Sequence, residues 1–451
     1  MRNSDLRPRD LAHLWHPCSQ MKDHERYPLI PIKRGEGVWL EDYEGKRYLD
    51  AVSSWWVNAF GHANPRINQA IKDQLDQLEH AIFAGFSHGP GIDLAERLCR
   101  IAPAGLNKVF YGDNGSSAVE IALKMSFQYW QNVGRPQKQK FVALKNGYHG
   151  ETLGALSVGD VDLYKATFKP LLFDVMMAPS PDCFYREAGE SWRDYSLRQF
   201  IHMEALLEKN HDQVAAVILE PLVQCAGNMR MYHPVYLEKL RECCDRLGVH
   251  LILDEIAVGF GRTGKLFASE HAGISPDFMC ISKALTGGYL PLSAVLTTDT
   301  VYDAFYHDYE TLKGFLHSHS YTGNPVACAA ALATLDIFET DNVIESNQTL
   351  VAALKRAGDR LAEHDNVIDV RQTGMILAAE MGKDKISREQ YDWRERRGMR
   401  VYEYAMSQGA LLRPLANVVY FMPPYVITPE QIDWLADIAW QGIDRATADA
   451  D

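Results

Sequence analysis

The chain has 451 residues, of which 47% are hydrophobic and 23% are charged, and its formal net charge is −13 at pH 7. This composition predicts a globular protein with a large apolar core in two or three domains. The acidic charge argues against a nucleic-acid partner, because binding to phosphates requires a basic surface.

Several absences point to one compartment. The sequence shows no apolar run of membrane-spanning length and no apolar signal-peptide core near its N-terminus. Its eight cysteines lack C-x-x-C spacing, which favours reduced thiols over disulfides or metal ligands. We therefore expect a cytoplasmic protein with no membrane partner and no metal site.

The N-terminal region predicts little regular structure apart from one hairpin. Residues 1–35 contain four prolines and predict irregular structure, whereas residues 38–50 predict a β-hairpin that turns at Glu44-Gly45. Trp55 and Trp56 follow, and adjacent residues of a strand face opposite sides, so one of them could line a pocket. Residues 65–80 have helical spacing with a proline at the start.

From about residue 80 to residue 330, predicted strands and helices alternate, which indicates a mostly parallel sheet covered on both faces. Beyond residue 330 the pattern becomes α+β, with helical spacing over residues 327–339 and 343–364 before short predicted strands. The fold class is therefore α/β, with an N-terminal segment (1–60) packing with the small domain, a large domain (61–330) and a C-terminal small domain (331–451). The predicted strands of the large domain are residues 108–111, 141–144, 172–176, 214–219, 249–253, 278–281 and 294–297.

A carboxylate and a lysine each lie just past the end of a predicted strand. Asp254 follows the apolar run 249–253, and Lys283 follows the run 277–281. Ligands bind at such strand ends in open α/β sheets. A carboxylate that pairs with a pyridinium nitrogen and a lysine that forms a Schiff base are the minimal protein contribution to pyridoxal phosphate (PLP) chemistry.

Two other motifs overlap this stretch. Residues 259–264 fit the dinucleotide pattern G-x-G-x-x-G, but the βαβ context and the downstream acidic residue are not convincing. The same stretch nearly fits a P-loop, except that Leu266 stands where a magnesium-binding Ser or Thr is required. Asp254 and Lys283 could also be solvated loop residues.

Further polar residues also follow strands. The turn with Gly115 and Ser116 opens a helix and could bind a phosphate, although Ser116 or Ser117 could instead cap that helix. Tyr148 could stack on a flat cofactor, with Ile256 on the opposite face of the ring. Other candidates, each with an ordinary structural alternative, are His149, Glu220, the hydroxyl-rich loop 317–325 and Arg413.

Together these residues resemble the class III, fold type I PLP-dependent aminotransferases. DNGSSAVEIALK, NGYHGET, ILEP, LDEIAVGFGRTGK, SKALTGG and HSYTGNP occur in the family order and cover most of the chain. Within that family, WHP at 15–17, SSWW at 53–56 and VVYFMPPY at 418–425 are similar to the branch that aminates 8-amino-7-oxononanoate in biotin biosynthesis.

The resemblance implies the cofactor PLP and a role for each matching residue. Lys283 resembles the Schiff-base lysine and Asp254 the partner of the ring nitrogen, while Tyr148 and Ile256 resemble the two sides of the ring sandwich. Tyr148 is counted with Lys283 and Asp254 as catalytic. The implied phosphate cradle consists of Gly115 and Ser116, with His319 and Ser320 from the other subunit of a homodimer.

The resemblance also implies the substrate contacts. Arg413 resembles the clamp on the carboxylate of 8-amino-7-oxononanoate, and Trp55 and Trp56 resemble pocket walls. Ser318 and Cys18 join them as substrate-binding residues, with Tyr148 and Lys283. The implied reaction forms 7,8-diaminononanoate by a ping-pong mechanism.

The amino donor is less clear from the sequence. Members that use S-adenosylmethionine usually have Tyr where this chain has Cys18, and its HSYTGN loop is typical of members that use lysine. The double tryptophan and WHP favour S-adenosylmethionine, so we expect that donor, with lysine as the alternative. An ω-amino-acid aminotransferase, a racemase or decarboxylase of the same fold, and a non-catalytic PLP-binding regulator are the competing functions.

Overall fold

The computed structural model describes residues 2–448. Its strands are β1 (Ile32–Glu36), β2 (Trp39–Asp42), β3 (Arg47–Asp50), β4 (Leu106–Gly112), β5 (Lys140–Leu144), β6 (Met176–Ala178), β7 (Val214–Leu219), β8 (Val223–Gln224), β9 (Arg230–Met231), β10 (His250–Asp254), β11 (Phe278–Ile281), β12 (Ser293–Thr298), β13 (Val367–Thr373), β14 (Ile376–Asp384), β15 (Glu389–Gln390), β16 (Ala410–Leu411) and β17 (Val418–Phe421).

Helices account for much of the remaining chain. They are α1 (Asn3–His13), α2 (Ser53–Trp56), α3 (Pro65–Leu75), α4 (Gly89–Ile101), α5 (Gly115–Asn132), α6 (Leu153–Val158), α7 (Asp162–Lys165), α8 (Trp192–Asn210), α9 (Val235–Leu247), α10 (Asp299–Asp303), α11 (Pro325–Thr340), α12 (Val343–Ser346), α13 (Gln348–Glu363), α14 (Arg397–Gln408) and α15 (Pro429–Thr447). Short 3₁₀ helices lie at Met21–Glu25, Ala166–Leu171, Cys183–Tyr185, Ala268–His271, Lys283–Thr286, Tyr309–Thr311 and Trp393–Glu395.

The chain forms two compact units, one of residues 66–348 and one of residues 1–65 with 349–451. The larger unit contains a seven-stranded sheet in the order β4-β12-β11-β10-β7-β5-β6. β12 runs antiparallel to both neighbours, and the other pairings are parallel. The prediction of a mostly parallel sheet is confirmed.

The central strands form because their sequences suit burial on both faces. Every residue of β7, β10 and β11 is buried, as expected for parallel strands with helices on each side. Such strands align their carboxyl ends along one edge, where Asp254 closes β10 and Lys283 follows β11.

The smaller unit contains two four-stranded sheets. In one, the hairpin β2–β3 confirms the predicted turn, and β3 pairs in parallel with β16 from the other end of the chain. In the other, β14 pairs with β13, β15 and β17. The predicted domain boundaries at residues 60 and 330 stay predictions.

Three sequence predictions were wrong in detail. Residues 3–13 form a helix, because the buried Asn3 anchors it through a 3.0 Å hydrogen bond to the Asp42 carboxylate. The strand expected at 172–176 begins at Met176, where pairing with Val142 of β5 starts. The helix expected over 343–364 is interrupted at the buried Asn347, between α12 and α13. No helix within residues 2–448 is long and apolar enough to cross a membrane.

Candidate active site

One group of candidate site residues centres on a buried hydrogen-bonded pair at the carboxyl edge of the large sheet. The Nδ1 atom of His149, in the loop after β5, lies 2.7 Å from the Oδ2 atom of Asp254. Both side chains are about 95% or more buried. The other carboxylate oxygen, Oδ1, accepts the backbone N–H of Ile256 at 3.1 Å. Both carboxylate oxygens of this buried side chain therefore have hydrogen-bond partners, as a buried polar group requires.

Lys283 lies on the neighbouring strand end, as predicted. Its backbone has φ = 47°, a left-handed conformation that is uncommon for a residue with a side chain and that recurs at functional sites. Burial lowers the pKa of its ammonium group, against the opposing effects of Asp254, Cys225 and Glu220. A larger fraction of neutral amine is what a nucleophile or general base requires.

At the turn that opens α5, the backbone of Gly115 lies close to the Ile256 side chain. The N-cap is Asn114, whose side chain accepts the Ser117 N–H at 3.0 Å, so neither predicted serine cap is used. A Cβ added at Gly115 would lie 2.9 Å from Cγ2 of Ile256. The open end of this helix therefore offers N–H groups and a positive dipole end to an anion.

Tyr148 is fixed at the same edge by two contacts. Its N–H donates to Oε2 of Glu220 at 3.0 Å, and its hydroxyl donates to Oε1 of Glu151 at 3.1 Å. Burial raises the pKa of Glu220 to about 7, while His149 lowers it and Asp254 raises it. His149 and Glu220, which the sequence analysis named as candidates without a defined role, thus contact Asp254 and Tyr148. Their position after strands, noted in the sequence, was the signal available.

These features fit a flat heteroaromatic cofactor with an anionic group. Asp254 offers a carboxylate for a ring nitrogen, Lys283 an amine, and the start of α5 an anion site lined by Gly115 and Ser116. A Cβ at Gly150 would lie 1.9 Å from the Ser116 hydroxyl, so no larger residue fits beside this turn. Contacts of Tyr148 and Ile256 with a ring stay predictions.

The late hydroxyl-rich loop is positioned by its histidines. His317 Nδ1 lies 2.9 Å from the Lys124 ammonium, and the rings of His317 and His319 are 4.9 Å apart. Ser318 and Ser320 are exposed. The role of His319 and Ser320 in a partner's phosphate cradle stays a prediction.

A second group of candidate site residues lies within the smaller unit. Because β3 and β16 are parallel neighbours, the residues that follow them emerge side by side. The guanidinium of Arg413 lies 5.3 Å from the centre of the Trp55 ring. Trp55 is 41% exposed, whereas Trp56 is 3% exposed and donates its indole N–H to the Tyr420 hydroxyl at 3.0 Å. Of the two tryptophans, only Trp55 is placed to line a pocket.

The tryptophan pair does not lie in a strand, contrary to the sequence interpretation. Residues 53–56 form a turn in which all four residues have positive φ, between 45° and 73°. The turn separates the two indoles as the strand prediction required, but by a different geometry.

Trp55 and Arg413 border a cavity of about 460 Å³. Cys18 also lines it, so the structure brings together three of the predicted substrate-binding residues. Half of the cavity lining comes from residues 16–30, between α1 and β1. The Asp23 carboxylate ties this segment to the Arg396 guanidinium through hydrogen bonds of 2.7 and 2.6 Å.

Comparison with known proteins places these features in one family. Residues 20–442 match the family model described as aminotransferase class-III. The chain is 46% identical to the adenosylmethionine-8-amino-7-oxononanoate aminotransferase of Geobacter sulfurreducens, over 96% of each protein. It is 48% identical to the enzyme of that name from Helicobacter pylori, over 94% of each.

Solved structures agree. The chain resembles the adenosylmethionine-8-amino-7-oxononanoate aminotransferase of Methanocaldococcus jannaschii with a TM-score of 0.94 and 41% identity, covering 98% of this chain and 99% of that one. An omega transaminase from Pseudomonas jessenii, solved in complex with PMP, has a TM-score of 0.93 at 30% identity, with 98% of each chain covered. The predicted fold type I architecture is confirmed.

Proposed function

Because the chain belongs to the class-III aminotransferases, which are PLP-dependent, we propose that it aminates 8-amino-7-oxononanoate to 7,8-diaminononanoate with S-adenosylmethionine as donor. This reaction is a step of biotin biosynthesis. The observation that carries the choice of substrate is the pairing of Trp55 with Arg413 beside a largely apolar cavity. A guanidinium at the edge of such a cavity suits a long aliphatic chain that ends in a carboxylate.

The names of the relatives support the same substrate. Proteins 46% and 48% identical to this chain over nearly its full length carry the name of that aminotransferase. The second candidate is an ω-amino-acid aminotransferase, because omega transaminases share the fold at about 30% identity. Lysine is the alternative donor for the first reaction.

Each residue at the carboxyl edge of the large sheet has a separate role in the proposed reaction. Bound PLP would supply an electron sink for the electrons released when a bond at the amine-bearing carbon breaks. Asp254 would hold the ring nitrogen, and the N–H groups of Gly115 and Ser116 would hold the phosphate. His149 would keep the Asp254 carboxylate oriented through its 2.7 Å contact.

Lys283 moves the proton. Its Nζ atom, made less basic by burial, takes the proton from the amine-bearing carbon of the donor as a general base. It would then deliver that proton, as a general acid, to the carbonyl-derived carbon of the bound cofactor, and it would act in the opposite direction when the keto acceptor is bound. The product of the donor leaves before the keto acceptor binds, which is the basis of ping-pong kinetics.

We further propose a cytoplasmic homodimer. Support for self-association comes from the segment around Tyr309–Thr311, where Tyr306, Tyr309, Leu312 and Leu316 are 73–92% exposed. Large apolar side chains exposed together are typical of an interface between subunits. The predicted contribution of His319 and Ser320 to the partner's site depends on this dimer, and the cytoplasmic location rests on the sequence.

The first half-reaction tests the donor. The PLP-loaded protein is mixed separately with S-adenosylmethionine, lysine or a simple ω-amine, without keto acceptor, and its absorption spectrum is followed. Loss of the PLP band with S-adenosylmethionine alone, followed by amination of added 8-amino-7-oxononanoate, is the expected result. A response to lysine alone would overturn the donor, and a response to the ω-amine alone would favour the second candidate.

A further inference from the structure

The turn that carries Trp55 is held in an unfavourable backbone conformation. Ser53, Ser54, Trp55 and Trp56 have φ of 52°, 45°, 73° and 73°, and no glycine is among them. Left-handed backbone is disfavoured at each residue that has a Cβ, so such a run persists only where surrounding contacts enforce it.

One buried carboxylate makes two of those contacts, both with Ser54. Asp50, the last residue of β3, is 0% exposed. Its Oδ1 accepts the Ser54 N–H at 2.9 Å, and its Oδ2 accepts the Ser54 hydroxyl at 2.6 Å. Asp50 therefore accepts hydrogen bonds from both the backbone and the side chain of Ser54, the second residue of the turn.

His62 completes this arrangement from the far side. Its Nε2 atom lies 3.1 Å from Oδ2 of Asp50, and its Nδ1 atom lies 3.1 Å from the Asn58 amide nitrogen. The amide donates to Nδ1, which leaves the Nε2 proton to donate to Asp50. Ser53 adds a 2.7 Å hydrogen bond to the Met422 carbonyl. The turn is thus held by charge-assisted hydrogen bonds to a carboxylate that is itself buried.

We propose that Asp50 is a positioning residue for substrate binding, which acts by holding the left-handed turn so that Trp55 faces Arg413. The inference rests on the proposed function for the identity of the substrate. Asp50 itself does not line the cavity, whereas Trp55 and Arg413 do. Without Asp50 the turn relaxes, the indole leaves the guanidinium, and the cavity loses one wall.

The test uses the PLP-loaded enzyme and separates binding from chemistry. In Asp50→Ala we expect KM for 8-amino-7-oxononanoate to rise about tenfold, the effect of losing hydrogen bonds to a buried charge, while kcat stays within about twofold. Asp42→Ala is the matched control, because Asp42 is a buried aspartate that holds the neighbouring hairpin turn. It should lower stability without a comparable rise in KM.

A second substitution distinguishes the turn from a general loss of packing. In the Asp50→Ala background, Ser54→Gly should recover at least about a third of the lost affinity, because glycine adopts positive φ without penalty. Ser54→Ala removes the same hydroxyl but keeps the penalty, and should recover none. Equal KM values for these two double variants would overturn the proposal.

Hydrogen exchange provides a readout that does not depend on the substrate. Peptides covering residues 51–60 should exchange faster in Asp50→Ala than in the wild type and in Asp42→Ala. Unchanged exchange would show that Asp50 does not hold the turn. If the wild type does not turn over 8-amino-7-oxononanoate, the proposed function fails, and faster exchange would still support the role of Asp50 in the turn.

Discussion

His149 and Asp254 are 105 positions apart in the sequence, yet their side chains meet at 2.7 Å in the interior of the protein. The contact joins the loop after β5 to the end of β10, two strands separated in the sheet by β7. It determines how one of the two carboxylate oxygens of Asp254 is oriented.

We therefore expect His149→Ala to lower kcat/KM by about 10- to 100-fold, equivalent to about 1.5–3 kcal/mol for a lost hydrogen bond to a charged group. Steady-state kinetics and retention of PLP during gel filtration measure the effect. His364→Ala is the control, because His364 makes a similar 3.0 Å contact with Asp444 in the smaller unit. Activity within twofold of the wild type would remove His149 from the site.

Lys283→Ala and Asp254→Asn should each abolish turnover while leaving the melting temperature within a few degrees of the wild type. The first removes the proton-transferring amine, and the second removes the charge that would pair with the ring nitrogen. Added methylamine should restore part of the activity of Lys283→Ala, because a small base can enter the vacated space, but should not rescue Asp254→Asn. Near-normal turnover in either variant would refute its role.

Arg413→Ala should raise KM for 8-amino-7-oxononanoate by about 10- to 100-fold, because a guanidinium–carboxylate pair contributes two charge-assisted hydrogen bonds. The KM of Arg413→Lys should lie between those of the wild type and Arg413→Ala, because an ammonium cannot bind both carboxylate oxygens in the same way. The methyl ester of the substrate should bind equally to all three proteins. Arg394→Gln is the control, because it removes an exposed ion pair with Asp392 in the same unit. If Arg413→Ala bound the methyl ester more weakly than the wild type does, Arg413 would not act as a carboxylate clamp.

The protonation of Glu220 should influence stability. Burial raises its pKa from 4.5 to about 7, so between these values the folded protein holds a proton that the unfolded chain releases. Stability therefore falls as pH rises from 4.5 to 7 and is constant above that range with respect to this group. Glu220→Gln should remove this slope, a difference of at most about 3 kcal/mol. Urea midpoints at several pH values measure it, and parallel curves for the two proteins would contradict the assignment.

The sequence predicted the large sheet well because its central strands are mostly apolar and buried on both faces. All seven predicted strands correspond to strands of that sheet, and only the edge strand β6 was misplaced. An edge strand has one neighbour, so its limits depend on where pairing with β5 begins, and the local sequence does not contain that information. The helix α1 was missed for a similar reason, because the anchor of Asn3 is a carboxylate 39 positions away.

The positions of Asp254 and Lys283 at strand ends were predicted correctly, whereas contacts between residues distant in the sequence were not predicted. Asp254 and Lys283 could be inferred from position alone. The link between His149 and Asp254 requires the sheet order, and a lone histidine gives no local signal of it. The left-handed turn at Ser53–Trp56 could not be predicted from the sequence either, because residues with a Cβ give no local indication of positive φ.

The pairing of β3 with β16 joins two parts of the chain that are synthesised far apart in time. Leu49 lies opposite Ala410, so the hairpin emerges from the ribosome about 360 residues before its neighbour in the sheet. At roughly 5–20 residues per second, the hairpin waits for tens of seconds with one edge unpaired. Arg413 is synthesised later still, so the Trp55–Arg413 cavity forms only after β16 has emerged. Ribosome-bound chains lacking residues 410–451 must keep this edge protected from other nascent strands.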